Sequence, residues 1–255
     1  MKKTTKWIVG TGIGLVAASL VGLVVTGFSI GWGPFKFLFK GFENEVAAIE
    51  QRYDADVRKG EIVFYGASNF RLWTEMENDL SEYKVQNHGF GGSTDKLLVQ
   101  YADRILYPYE PKIVFFQTGS NDYVELPGTD AEKVAACMAY KQEMFTAFHE
   151  QLPEAKLVVM SGLLLPGRSQ YTALTREINR QLSALCADHA DYMIFVDAED
   201  MTFDGERYAE ELFISDKIHL NHAGQLCWSE GYIRPALEAL VESRQWNDLR
   251  TEGGA

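Results

Sequence analysis

Residues 62–73 read IVFYGASNFRLW, from Ile62 to Trp73. The first four, Ile62 to Tyr65, are β-branched or aromatic with no turn former among them, which predicts a buried strand. Gly66 breaks the run and Ala67-Ser68-Asn69 follow, so Ser68 falls where a strand gives way to a helix. In an open α/β sheet that position lies at the carboxyl edge, where such folds place their ligand sites. A helix starting there aims backbone N–H groups at any oxyanion formed nearby. Ser68 is therefore a candidate nucleophile; the alternative is a serine that only caps a helix.

Working outward, strands and helices alternate. Upstream, Val46, Ala47, Ile49 and Tyr53 recur near the 3.6 period and predict a helix over 42–56. Downstream, a helix is expected over 69–80 and a short strand over 84–87, which runs into His88-Gly89-Phe90-Gly91-Gly92. Ser93 or Thr94 then caps a helix to about Leu106. A third strand covers 112–117 and ends in Thr118-Gly119-Ser120-Asn121-Asp122. A long helix over 130–151, a strand over 156–160, a helix over 171–189 and a fifth strand over 192–196 follow. The stretch 198–217 reads as mostly irregular, and Asn221 caps a final helix to about Glu242 with a kink at Pro235. Alternation at this spacing predicts an α/β fold, a three-layer α/β/α sandwich on a five-stranded parallel sheet of the flavodoxin-like kind. The strand order itself is an analogy.

The chain of 255 residues holds 24 Lys and Arg against 36 Asp and Glu, a net charge of −12. Five of the lysines lie in the first forty residues, which contain no acid, so the remainder stands at −17. That excess argues against nucleic acid or an anionic membrane surface as a ligand. Cys137, Cys186 and Cys227 are far apart and form no Cys-x-x-Cys, so neither a disulfide framework nor a zinc site is expected. Trp7–Ile30 runs for 24 residues without a charge after Lys2, Lys3 and Lys6. As a helix it would be about 36 Å long, enough to cross a bilayer. The expectation is an N-terminal transmembrane anchor over 1–30 with the globular domain outside the cytoplasm, or alternatively a cleaved signal and a secreted protein. A juxtamembrane linker is expected over 31–43, the globular domain over 44–245 and a tail over 246–255.

Four loops carry unusual residues, and in a doubly wound fold they converge on one edge of the sheet. They are Gly66-Ala67-Ser68, Asn87-x-Gly89-x-Gly91-Gly92, Gly119-x-Asn121-Asp122 and Asp216-x-x-His219. In order and spacing they resemble the blocks of the SGNH, or GDSL-like, lipase and acylhydrolase superfamily, over about Glu61 to Leu237. The resemblance implies a serine esterase. Ser68 would attack the ester carbonyl, His219 would act as base and then acid, and Asp216 would orient the imidazole. The backbone N–H groups of Ser68 and Gly92 and the side-chain amide of Asn121 would form the oxyanion hole. One departure stands out: the family's first block usually has Asp before the Ser, and here it is Ala67. The G-x-S-x-G elbow of α/β-hydrolases is absent, because Phe70 occupies its second glycine.

Other residues receive blander readings. Asp122 is read as an acceptor for loop N–H groups, Gly91 as a turn residue, and His88 as support behind the site. His222 belongs to a helix start, and Arg71 and Trp73 pack or solvate a helix. The run Leu163-Leu164-Leu165-Pro166, with Phe70, supplies either an apolar acyl groove or core. Arg168, Arg176 and Arg180 could form a local basic patch. The substrate would be a small ester, an acylated saccharide or a lipid, with no cofactor or metal required by the chemistry. Two alternatives stay open: an O-acyltransferase using the same triad on a saccharide acceptor, and a catalytically silent binding domain.

Overall fold

A computed structural model describes residues 41–244 and 246–251. The chain divides into two units, 1–44 and 45–255, and the second contains the sheet and all four loop blocks. The expected anchor over 1–30 and most of the linker lie outside the described residues. Among the described residues, no helix is long and apolar enough to cross a membrane.

Five strands form one parallel sheet: β1 (Ile62–Gly66), β2 (Val85–Asn87), β3 (Ile113–Gln117), β4 (Lys156–Met160) and β5 (Met193–Val196), in the order β2-β1-β3-β4-β5. This is the flavodoxin-like order, whose switch point lies between β1 and β3. The register pairs Gly66 with Gln117 at the carboxyl ends, so the loops after these two strands emerge side by side.

Every residue of β1, β3 and β4 is buried, as expected for strands covered on both faces. Alternate side chains serve opposite layers. Ile62, Phe64, Ile113, Phe115, Val158 and Met160 share one core with Phe70, Trp73, Trp228 and Leu237. On the other face Phe116 stacks on Phe148 of the helix Asp130–Gln151, with centroids 5.0 Å apart. There too the Tyr65 hydroxyl donates to the Leu98 carbonyl, at 2.6 Å. The segment 246–251, expected to be tail, sits against this body. Leu249 is buried, its carbonyl accepts from Lys84 N–H at 2.8 Å, and Arg250 bridges to Tyr83 beside β2. It thereby shields that edge of the sheet.

Three helices differ from the expectation. The first spans Glu43–Arg52 and stops early, because Tyr53 turns inward. Its hydroxyl accepts from Asn87 N–H at 2.9 Å and its carbonyl accepts from the Tyr109 hydroxyl at 2.9 Å. The helix expected over 69–80 is two single turns, Ser68–Arg71 and Met76–Asp79. The Asn87 amide takes the carbonyls of Phe70 and Trp73, at 2.7 and 3.1 Å, which a continuous helix would have used itself. The last helix runs as His222–Trp228, a π turn over Ser229–Ile233, and Arg234–Arg244. Pro235 cannot donate to the ladder and its ring needs space one turn upstream, so the break falls in the turn before the proline.

A buried ionic cluster anchors the loop after β3. Lys141, facing inward from the long helix, donates to Asp95 at 3.0 and 3.1 Å and to the Thr118 hydroxyl at 2.6 Å. Asp122 Oδ1 accepts from Asp95 N–H at 2.8 Å, while its Oδ2 is buried with no partner. Burial presses Lys141 to lose its proton, but the Asp95 and Asp122 charges outweigh that and hold its pKa above the ordinary value. Burial and the neighbouring Asp95 charge push the Asp122 carboxyl up to about 7, with Lys141 pulling the other way.

This packing can be tested at a glycine and at a carboxyl. A Cβ on Gly66 would lie 2.3 Å from the Gln117 carbonyl oxygen, whereas one on Gly231 would meet nothing within 4 Å. Gly66→Ala is therefore expected to lose about 2–3 kcal/mol in urea unfolding, and Gly231→Ala close to none. Because the folded chain holds the Asp122 proton more tightly than the unfolded chain, this group's contribution to stability declines as pH rises from about 4 to about 7. Asp122→Asn removes that decline. Urea midpoints at pH 5 and pH 8 should show the variant gaining about 1–2 kcal/mol on wild type between the two; a pH-independent gap would contradict the assignment.

Candidate active site

The turn Gly66-Ala67-Ser68 leaves β1 under tight restraint. Ala67 N–H donates to the Gln117 carbonyl at 3.1 Å, and the Gly66 carbonyl accepts from Phe90 N–H at 3.0 Å and from the Ser93 hydroxyl at 3.1 Å. Ala67 precedes the single turn Ser68–Arg71 and makes no side-chain cap there, so the missing carboxylate leaves these backbone bonds intact. The helix expected behind Ser68 is only one turn long, and its dipole is correspondingly small.

The fold brings His219 to Ser68 across 151 residues. His219 Nε2 lies 2.8 Å from Ser68 Oγ, and His219 Nδ1 lies 2.6 Å from Asp216 Oδ2. With Nδ1–H donating to the carboxylate, Nε2 is free to accept from the serine hydroxyl. Asp216 Oδ1 also accepts from the backbone N–H groups of Ile218 and His219, at 2.9 and 3.0 Å. Burial pushes the Asp216 carboxyl up, but the hydrogen bonds from His219 and from these N–H groups outweigh it and keep its pKa below the ordinary value. Lys217, between them, holds a left-handed backbone at φ 59°, which bends the loop so that Asp216 reaches back to His219.

Of the three residues expected to supply oxyanion donors, Ser68 and Asn121 line one cleft, and Gly92 lies in the loop beside Ser93. Asn121 lines the cleft with Ser68, and its Nδ2 donates to the Ser93 carbonyl at 3.2 Å. Gly92 adopts φ 80°, a left-handed conformation suited to glycine. Among the described residues, neither Ser68 N–H nor Gly92 N–H has a protein acceptor. The glycine that close packing demands is Gly89, where a Cβ would fall 2.5 Å from Arg71 N. Gly91 N–H donates to Glu45, which also pairs with Arg71 at 2.9 Å.

Two residues that the sequence motifs contain but to which no role was given hold the site together. Asn69 Oδ1 accepts from Leu220 N–H at 3.1 Å, tethering the residue after His219 to the residue after Ser68. Asn87 donates to the carbonyls behind the serine turn and accepts from Gly89 N–H at 3.0 Å. The signal available for Asn69 was its place directly after the candidate nucleophile.

Other candidates fall elsewhere. His88 is fully buried, with Nδ1 2.6 Å from the Ile105 carbonyl, and burial pushes its pKa down to about 3. It is a neutral core residue. His222 pairs with Asp79 on the surface at 3.0 Å. Trp73 and Phe70 are fully buried, so Phe70 belongs to the core and not to a groove. Leu163 and Leu165 are core residues whose edges also wall the cleft, together with Tyr123, Arg168 and Ile218. The cleft is narrow, with a cavity volume of about 30 Å³, room for only a few waters. No basic patch forms: Arg176 pairs with Glu199 and Arg180 with Glu177, leaving Arg168 by itself in the cleft. The cysteines Cys137, Cys186 and Cys227 are all free.

No curated protein matches the sequence significantly. Solved structures with the same fold include a candidate platelet activating factor from Streptococcus pneumonia, at TM-score 0.65 and 19% identity over 84% of this chain and 96% of that one. A GDSL-like lipase from Bacteroides thetaiotaomicron matches at TM-score 0.57 and 20% identity over 79% and 97% of the two chains. An acetyl-xylooligosaccharide esterase from Geobacillus Stearmophilus matches at TM-score 0.51 and 16% identity over 66% and 90%. The sequence model of the GDSL-like Lipase/Acylhydrolase family matches residues 62–226, from the first strand through the histidine loop and into the last helix. This chain therefore belongs to the GDSL-like lipase/acylhydrolase family, within the SGNH hydrolase superfamily.

Proposed function

We propose that this protein is a serine esterase that hydrolyses short-chain carboxylic esters through an acyl-enzyme intermediate. The observation that carries the reading is the continuous hydrogen-bond chain from Ser68 Oγ through His219 to Asp216, at 2.8 and 2.6 Å. Ser68 Oγ attacks the ester carbonyl as its proton passes to His219 Nε2. Asp216 keeps the imidazole in the productive tautomer and balances its charge once protonated. The negative oxygen of the tetrahedral intermediate is met by Ser68 N–H, Gly92 N–H and Asn121 Nδ2. His219 then gives its proton to the leaving alcohol, which departs and leaves acyl-Ser68. Water, deprotonated by the same imidazole, attacks the acyl group, and the acid leaves with Ser68 restored.

The small volume of the cleft beside Ser68, with its Leu163 and Leu165 walls packed into the core, favours a small acyl group. The Geobacillus relative is an esterase of acetylated xylo-oligosaccharides, and an acetylated saccharide is a fitting substrate here as well. The uncharged run Trp7–Ile30 behind Lys2, Lys3 and Lys6 supports attachment of this domain to the outer side of a membrane.

The test is turnover of p-nitrophenyl esters from acetate to palmitate by the full chain in detergent. Acetate and butyrate are expected to be preferred, and Ser68→Ala to abolish turnover; equal rates in the two proteins would remove Ser68 from the mechanism. A saccharide acceptor should leave free acid as the main product, whereas acyl transfer to the sugar would favour a transferase. Asn121→Ala is expected to lower kcat by about 10²–10³ with little change in KM. A loss confined to KM would place Asn121 in substrate binding instead of the oxyanion hole.

A further inference from the structure

Arg168 is a charged cleft residue that the triad chemistry leaves without a task. Its position is set by backbone packing. Gly167 N–H donates to the Lys217 carbonyl at 2.8 Å, and Arg168 N–H donates to the Leu165 carbonyl at 3.0 Å. A Cβ on Gly167 would sit 2.7 Å from the Asp216 carbonyl oxygen, so the turn is pressed against the loop that carries Asp216 and His219. From there the guanidinium reaches the cleft, where Nη1 donates to the Ser120 hydroxyl and approaches Asn121 Oδ1 at 3.5 Å. Among the described residues, Nε and Nη2 have no protein partner.

The charge balance around it is unusual for this protein. Acids exceed bases by 36 to 24, and most described arginines are paired with a carboxylate. Arg168 has no carboxylate within ion-pair distance among the described residues; its protein contacts are neutral oxygens. A half-buried guanidinium with two unused nitrogens, beside the candidate nucleophile, attracts a negatively charged oxygen group in a fork geometry that lysine cannot offer. The surrounding acidic surface repels polyanions, so the anion has to be a single group on a small molecule.

We propose that Arg168 is a specificity residue and that the esters preferred by this site carry an anionic oxygen group, a carboxylate or a phosphate, close to the reacting carbonyl. This rests on the esterase reading and narrows its substrate class. It is separable from Arg168 serving only to orient the Asn121 amide, which would affect neutral and anionic esters alike.

The test uses size-matched esters that differ in charge: 4-acetoxybenzoate, 4-acetoxyphenyl phosphate and the neutral 4-acetoxybenzamide. For an anion on the acyl side, methyl hydrogen adipate is set against methyl adipamate. With the full chain, kcat/KM for at least one anionic ester should exceed that for its neutral partner, and the pair that responds identifies the anion and its side. In Arg168→Gln the anionic-to-neutral ratio should fall by about ten- to a hundredfold, mainly through KM, and Arg168→Lys should restore part of it. Calorimetric binding of the same esters to the Ser68→Ala chain, with and without Arg168→Gln, should show the same ratio without any turnover. Binding selectivity without turnover in wild type would sink the esterase reading and keep the anion site. No preference for either anion in wild type would overturn the inference, as would equal losses on both members of each pair in Arg168→Gln.

Discussion

The site depends on one close approach, that of Gly66 to Gln117 at the ends of β1 and β3. The pairing leaves no room for a side chain at Gly66, where a Cβ would stand 2.3 Å from the Gln117 oxygen. In return the same few atoms gather three loops. Ala67 bonds to the Gln117 carbonyl, and the Gly66 carbonyl accepts from both Phe90 and Ser93 of the glycine loop. Ser93 in turn presents its own carbonyl to Asn121. The candidate nucleophile and the expected oxyanion donors are thus placed by main-chain bonds and two short side-chain bonds at the switch point of the sheet, a platform of the kind that holds reacting groups in place.

The histidine loop joins that platform by a second set of bonds. Ser68 and Asn69 are adjacent, as are His219 and Leu220, and the two pairs are linked in parallel by Ser68–His219 and Asn69–Leu220. The second link joins the neighbours of the first pair, and it constrains the first. On the opposite side Gly167 wedges the turn after β4 against the same loop. Behind the Asn121 loop, Lys141, Asp95 and Asp122 make a buried ionic cluster that fixes the loop's position through charge and not through apolar packing. Losing Lys141 or Asp95 would leave an uncompensated buried charge, so the pair acts as a brace even if the net stabilisation is small.

The proposed substrate preference rests on electrostatics and shape at the cleft. The protein's surface is strongly acidic, yet the cleft offers an unpaired guanidinium and little volume. The side chains of Leu163 and Leu165, after β4, belong to the core and also line the cleft. The proposed preference for a small ester rests on those walls, and that for an anionic one on the guanidinium.

Much of this was legible in the chain. Strand positions and the long helix Asp130–Gln151 followed from apolar runs and their spacing, because burial on both faces and helix periodicity leave local traces. The four loop blocks were legible as motifs of particular residue types, and the structure brings Ser68, His219 and Asp216 of two of them into one hydrogen-bonded chain. What only the tertiary structure decided is whatever depends on groups far apart in sequence. The Asn87 amide ended a helix by taking the Phe70 and Trp73 carbonyls, and Asn69 became a tether because Leu220 arrives beside it. Lys141 found its acids inside the fold, and Arg168 was separated from Arg176 and Arg180 because each of those met its own carboxylate. Local pattern carries periodicity and motif; partner choice is set by which side chains the sheet brings within hydrogen-bond reach, and no single stretch of the chain contains that information.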